Sequence, residues 1–243
     1  MSRCRDLLLV TISEVHLYRD RLDRDLAATF GSAPDLVVYL SMHRSGSQRP
    51  SLTVHPIGNH RAADFGGLPE TLVPAAPLEM TAALCSLRRE ARGLPYEVTL
   101  EATHHGPYLE TPTFYIEQGS TQREWSDRDA SRAIARALVS LHPDAGPVAV
   151  GLGGGHYVPR HTDVALERRV AFGHLLPSHA LEGMSDRMLA EAVSKTPGAR
   201  LAYVHRKSLS RPEARALEER VTSLGLRVVR EDDLELRSKD KDS

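Results

Sequence analysis

Two periods of apolar and polar positions divide this chain. Apolar residues that alternate or run together for roughly four to eight positions between turn residues predict strands. Such runs are "RDLLLVTI" (5–12), "DLVVYLSMH" (35–43), "SLTVHPIG" (51–58), "YEVTLEA" (96–102) and "TFYIEQG" (113–119). The start of "GPVAVGLGGGHY" (146–157), "LAYVHR" (201–206) and "LRVVRE" (226–231) continue the series. Apolar residues at every third or fourth position predict helices over 13–31, 79–92, 126–142, 185–195 and 211–224. Ser13 can cap the first and Gly31 end it, and Ser126 or Asp127 can cap the third. Short elements are expected at 161–168 and 170–176, and the Gly- and Pro-rich stretch 59–78 is expected as a loop.

Strands alternating with helices predict an α/β fold with a central mixed, mostly parallel sheet flanked by helices. Neither a repeat nor a Ser/Gly linker interrupts the pattern, so one domain is expected over 1–236, followed by a charged tail, 237–243. At 243 residues, 41% hydrophobic and 26% charged, the chain has the composition of a soluble globular protein. The short apolar run near the N-terminus lacks a cleavage pattern, and no run reaches membrane-spanning length. A net charge of −1 argues against a protein that coats DNA. Cys4 and Cys85 make no disulfide framework, which fits a reducing cytoplasm. Only four of the 31 basic residues are lysine, and arginine forks suit phosphate and carboxylate. A monomer is expected, since no heptad or apolar patch demands a partner.

Three polar clusters fall after predicted strands, where open α/β sheets gather their ligands. The first is "SMHRSGSQRPSLTVHPIGN", with His43 and His55 flanking a loop of Arg44, Ser45, Ser47 and Arg49 that can cradle phosphate or be an ordinary polar loop. The second is "EATHHGPYLETPTFYIEQGS" (101–120). Glu97, Thr99 and Glu101 share one face of a strand, and Glu117 on the next strand is expected across from Glu101. Adjacent histidines on an extended chain point to opposite sides, so one of His104 and His105 is expected in the site and the other behind it. Imidazole and carboxylate donors suit a borderline cation such as zinc, or a metal-free general base. A histidine pair satisfied by a turn is the structural alternative. The third is "VGLGGGHYVPRHTDV", whose glycines do not follow dinucleotide spacing and run into Pro159. Its amides can stabilise an oxyanion, and His156, Tyr157, Arg160 and His161 supply polar tips beside them. His174 and His179 are expected to pack rather than line the same cleft, and Trp125, the only tryptophan, to anchor the core rather than serve as a base-stacking platform.

The segments "HRSGSQRPSLTVHPIGN" (43–59), "LEATHHGPYLETPTFYIEQGSTQREW" (100–125) and "GLGGGHYVPR" (151–160) resemble, in order and separation, the archaeal and plant-type D-aminoacyl-tRNA deacylases. Thr-His-His-Gly-Pro and Gly-Gly-Gly-His-Tyr are the specific signatures; the chain after about residue 180 carries little of the resemblance. The resemblance implies a phosphorylase/hydrolase-like fold and a zinc-dependent hydrolase. Such an enzyme frees D-amino acids of many kinds from the 3′ end of tRNA in the cytoplasm. It carries over His43, His55, His104, His105, Glu117, His156 and Arg160 as a group. Val158 and Gln118 depart from the pattern, where a smaller and an apolar residue are expected.

Together these readings place cation ligands at Glu101, His104, His105 and His156, and catalytic groups at His104, His105, Glu117 and His156. They give substrate binding to His43, Arg44, Ser45, His55, Gly153, Gly154, Tyr157 and Arg160. A metal-dependent peptidase or amidase and a non-catalytic RNA-binding module are the alternatives.

Overall fold

The computed structural model describes residues 7–238. In chain order the strands are β1 (Val37–Arg44), β2 (Ser51–Pro56), β3 (Gly58–Asn59), β4 (Thr71–Leu72), β5 (Glu97–Leu100) and β6 (Thr113–Ser120), then β7 (Val148–Leu152), β8 (Ala171–Leu176), β9 (Ala199–Val204) and β10 (Arg227–Val229). The helices are α1 (Leu22–Phe30), α2 (Pro77–Glu90), α3 (Gln122–Trp125) and α4 (Arg128–Val139), then α5 (Pro159–Glu167), α6 (Ser178–Leu181), α7 (Asp186–Ser194) and α8 (Arg211–Ser223). The strands are mostly parallel, as the alternation predicts, but they divide into two four-stranded sheets ordered β1-β6-β2-β5 and β10-β9-β7-β8, with β3 and β4 forming a separate antiparallel pair.

In the first sheet β6 runs parallel to β1 and antiparallel to β2, and β2 runs parallel to β5. Residues paired across strands share a face. One face therefore collects Tyr39, Ser41 and His43 from β1, Tyr115, Glu117 and Gly119 from β6, Thr53 and His55 from β2, and Thr99 from β5. Glu101 follows β5 immediately, its amide on the Val54 carbonyl at 3.0 Å. The other face carries Leu52, Val54, Val98, Leu100, Phe114 and Ile116, all buried in one apolar cluster. Each such side chain contributes roughly 1.5–3 kcal/mol by leaving water. This asymmetry fixes register, because a slip of one residue would put Glu117 and His55 into the core.

Helix α2 packs against both sheets, since Met80, Ala83, Leu84 and Leu87 recur at helical spacing and are fully buried. Helix α4 lies against it through Ala130, Ala133, Ile134 and Ala137. Asp127 caps α4, accepting from the amides of Asp129 (2.8 Å) and Ala130 (3.3 Å). Ser185 caps α7, and Ser210 with Glu213 forms a capping box on α8. The sheets meet at the segment after β5: Ala102 donates to the His156 carbonyl at 2.7 Å and Thr103 to that of Leu175 at 2.8 Å.

Two local expectations fail. The apolar run 5–12 is not a strand over its described part; residues 5 and 6, like Cys4 and the tail from 239, lie outside the described residues. Leu7, Leu8 and Leu9 pair with no strand and are 61–83% exposed, because β1 forms the sheet edge without them. The helix expected over 13–31 is broken: a 3-10 turn at His16–Tyr18 precedes α1, with Arg21 left-handed at φ 59° between them. Gly31 ends α1 at φ 79°, as expected, but the Ser13 hydroxyl meets only Glu14. Among the described residues no helix is long and apolar enough to cross a membrane.

His174 on β8 is fully buried. Its Nε2 donates to the Val73 carbonyl (3.0 Å), so its Nδ1 accepts from the Thr103 hydroxyl (3.1 Å). Burial, then the neighbouring His60, pushes its pKa down to about 3. The unfolded chain takes up this proton near pH 6.5 and the folded chain does not. Stability from this group is therefore complete above pH 6.5 and lost as pH falls toward 3. Urea unfolding should show a loss of roughly 2–3 kcal/mol from this residue between pH 7 and pH 4.5. His174→Gln, less stable at pH 7, should lose correspondingly less on acidification; identical acid losses in both proteins would contradict this.

Candidate active site

Glu101 is fully buried, and neither of its carboxylate oxygens has a hydrogen-bond partner. Three imidazoles surround it at slightly longer range: His43 Nε2 at 3.5 Å, His104 Nε2 at 3.6 Å and His156 Nε2 at 3.5 Å. A buried carboxylate without compensation costs several kcal/mol. Glu117, on the same sheet face, lies 3.6 Å from both His43 Nδ1 and His55 Nε2. The polar face thus holds a continuous chain from His55 through Glu117, His43 and Glu101 to His104 and His156. The two carboxylates do not face each other across neighbouring strands, as expected from sequence, because β2 inserts between β5 and β6. His43 joins them instead.

Backbone carbonyls set the tautomers of three histidines. Nδ1–H of His104 donates to Ala102 (2.7 Å), that of His105 to Gly106 (2.6 Å) and that of His55 to Pro56 (3.1 Å). A carbonyl only accepts, so each Nε2 is left facing the cluster. Histidines that ligate metals carry this same outer tether, which fixes ring orientation. His104 and His105 both face inward, their ring centroids 4.4 Å apart, against the expectation of opposite sides. The reason is His105, left-handed at φ 43°, which breaks the extended alternation. Gly106 permits this turn to pack: a Cβ there would lie 2.2 Å from the Gly67 nitrogen.

The charges divide the histidines into two classes. Burial lowers the pKa of His104 far below normal and that of His105 to about 4, with neighbouring imidazoles adding to the effect. Both are neutral at pH 7 and present lone pairs. Burial acts the same way on His43 and His55, but Glu117 and Glu101 outweigh it. His43, which also contacts the Tyr157 hydroxyl at 2.9 Å, is raised to about 9. Glu117, despite burial, is held below the usual carboxylate range by His43 and His55.

Three overlapping groups bring one donor atom per residue within 4.8 Å: His55, His104 and His105; Glu101, His104 and His156; and His43, Glu101 and Glu117. The orphaned Glu101 oxygens and tethered imidazoles fit a borderline divalent cation. Of the expected ligands, Glu101, His104 and His156 share one such group, while His105 falls with His104 and His55 in another. A histidine in the wholly buried strand "SLTVHP" was the available signal for His55. His55 and Glu101 form the floor of the cluster, fully buried, while His104 and His156 keep 28% and 40% side-chain exposure at its rim.

Other expected residues fall differently. Tyr157 reaches the cluster, whereas the Arg160 guanidinium pairs with Glu231 and points its charge there. The Gly153 amide donates to Leu176 O (2.8 Å), and that of Gly154 to the hydroxyls of Ser178 (3.1 Å) and Ser208 (2.7 Å). Neither amide is available to an oxyanion. Arg44 and Ser45 sit just beyond His43 at the surface, and His161 is buried against Phe172 and Tyr203. Val158 is fully buried and left-handed at φ 35°, a conformation that explains the expectation of a smaller residue. Gln118 points away from the cluster and ties α3 to α4 through the carbonyls of Glu124 and Asp127 and the Ser131 hydroxyl. Trp125 is no core anchor: it is half-buried and outside the apolar clusters.

Residues 30–229 match the family model described as D-aminoacyl-tRNA deacylase. A protein of that name from Methanosarcina mazei is 40% identical over 230 residues, covering 93% of this chain and 77% of its own length. One from Pyrococcus furiosus is 37% identical over 230 residues, covering 93% and 84%. A solved structure described as a conserved protein of unknown function superposes with a TM-score of 0.86 at 31% identity, over 93% of this chain and 82% of that one.

The cluster depends on Gly119, where β6 passes His43. A Cβ there would lie 2.7 Å from the His43 carbonyl oxygen and 2.9 Å from its Cβ. Gly119→Ala should cost roughly 1–3 kcal/mol in chemical unfolding and shift the His43 ring resonances. Unchanged stability with unmoved resonances would show that β1 is not held this closely.

Proposed function

The chain belongs to the D-aminoacyl-tRNA deacylase family, and from that membership we propose that the Glu101–histidine cluster hydrolyses the ester joining a D-amino acid to the 3′ end of tRNA. The observation that carries the assignment is the Glu101 carboxylate, buried without a hydrogen bond and ringed by three imidazole nitrogens. An aminoacyl ester is already activated, so an ordered, deprotonated water suffices. Water adds to the ester carbonyl, the acyl C–O bond to the ribose breaks, and the ribose oxygen leaves with a proton.

Glu101, His104 and His156 are the residues that would hold a divalent cation, with His105 and His55 grouped beside them around His104, and zinc suits their donors. Such a cation would lower the pKa of a coordinated water to about 7. Binding through His55 would compete with Glu117, which favours the protonated imidazole. His43 sits between the two carboxylates and carries a proton at pH 7, which it can give to the departing ribose oxygen. Tyr157 fixes the imidazole for that transfer through its hydroxyl. With no cation on them, His104 or His156, at the rim, could instead take the proton of the attacking water.

The position of the rim supports acceptance of many side chains. The reacting carbonyl meets the cluster where His104 and His156 reach solvent, so a side chain left outside makes few obligatory contacts. Selection for the D-form then rests on which substituent of the α-carbon is turned toward the buried floor.

Purified protein should release amino acid from D-Tyr-tRNA and spare L-Tyr-tRNA. Removal of divalent cations by a chelator should abolish release, and zinc should restore it. Glu101→Gln, which keeps shape and loses charge, should lower kcat/KM by at least about 100-fold. Cleavage that survives exhaustive chelation would contradict the cation's role. Failure to cleave either ester would contradict the activity.

A further inference from the structure

We propose that Trp125 and Arg44 form a platform on which the terminal base of the RNA substrate stacks, one residue from the reacting centre. The proposal rests on the deacylase reading above and adds the part of the substrate that the exposed surface beside His43 recognises.

Trp125 is the chain's only tryptophan, yet it closes the short helix α3 outside every apolar cluster of the described residues. Its Nε1–H donates to the His43 carbonyl at 2.9 Å. The ring is thereby fixed to the residue whose imidazole lies between Glu101 and Glu117. The Arg44 guanidinium stands 5.2 Å from the ring centroid, and no other aromatic ring packs on the indole among the described residues. An indole held by its polar edge and half-buried, with a guanidinium over its ring, gives a nucleobase a planar stack to extend.

Charge supports an anionic partner. Arg44, Arg49 and the exposed Arg123 of α3 make no ion pair among the described residues, whereas Arg24, Arg169, Arg187 and Arg220 are each held by a carboxylate. The loop between β1 and β2 adds the Ser45 and Ser47 hydroxyls, 3.0 Å apart. Next to it a concavity of about 450 Å³ is lined by Pro50, Tyr96, Arg123 and Ser126, with the capping carboxylates Glu124 and Asp127 at its edge. A base on the indole places its ribose toward His43, where the ester must lie. The phosphates of the preceding nucleotides then fall to the arginines and serines of the loop.

The sole tryptophan makes the test direct. Its emission is followed while the full-length protein is titrated with the trinucleotide CCA and, separately, with an analogue whose last ribose lacks its base. The same preparation is assayed on D-Tyr-tRNA. Saturable quenching by CCA, at least about tenfold weaker for the abasic analogue, is expected. Cleavage of D-Tyr-tRNA with no response to CCA, or with equal responses to both ligands, would overturn the platform and leave the deacylase reading intact. A base-dependent response without cleavage would uphold the platform and overturn the deacylase reading. Neither response nor cleavage would overturn both.

Discussion

The site is organised around one unfavourable element, the buried carboxylate of Glu101. Its two oxygens accept no hydrogen bond, and three imidazole nitrogens stand 3.5–3.6 Å away. Burial of such a group is tolerated where positive charge compensates it. His43 supplies part of that charge, and the lone pairs of His104 and His105 are turned toward the same space. Carboxylate oxygens and imidazole lone pairs so arranged suit the cation proposed above, and the left-handed turn at His105 is the backbone strain that accompanies the arrangement.

The first sheet makes this arrangement possible. Its two inner strands, β2 and β6, bury both faces, one against an apolar core and one beneath the loops that carry His104, His156 and Tyr157. Cross-strand pairing aligns Tyr39, Tyr115 and His55 in one row and Ser41, Glu117 and Thr53 in the next. Donors from distant parts of the chain thus arrive with the precision of a hydrogen-bonded ladder. Gly119 lets β1 and β6 approach closely enough for His43 to serve both carboxylates.

Much of this is written in the period of the strands. "TFYIEQGS", "SLTVHP" and "YEVTLEA" each alternate polar and apolar residues, and the polar set is the site. Helix α4 and its Asp127 cap, and the gathering of Glu101, His104, His105 and His156, follow from local pattern. What local pattern does not carry is pairing and backbone sign. Sequence distance put Glu101 opposite Glu117 because the insertion of β2 between their strands is a tertiary event. His104 and His105 share a side because of a positive φ that no residue type announces. The amides of Gly153 and Gly154 are taken by Leu176, Ser178 and Ser208, residues remote in sequence. The apolar run at 7–12 had the composition of a strand but pairs with none, and β1 stays the edge of its sheet.

A cation centre at Glu101 and its imidazoles is what the proposed chemistry depends on. The most direct measurement is titration of the chelator-treated protein with Co²⁺, read by visible absorption, beside Glu101→Gln. The account predicts saturable uptake with the spectrum of a nitrogen- and oxygen-ligated ion, and at least about tenfold weaker uptake in the variant. Equal binding by both proteins, or no uptake by either, would contradict it.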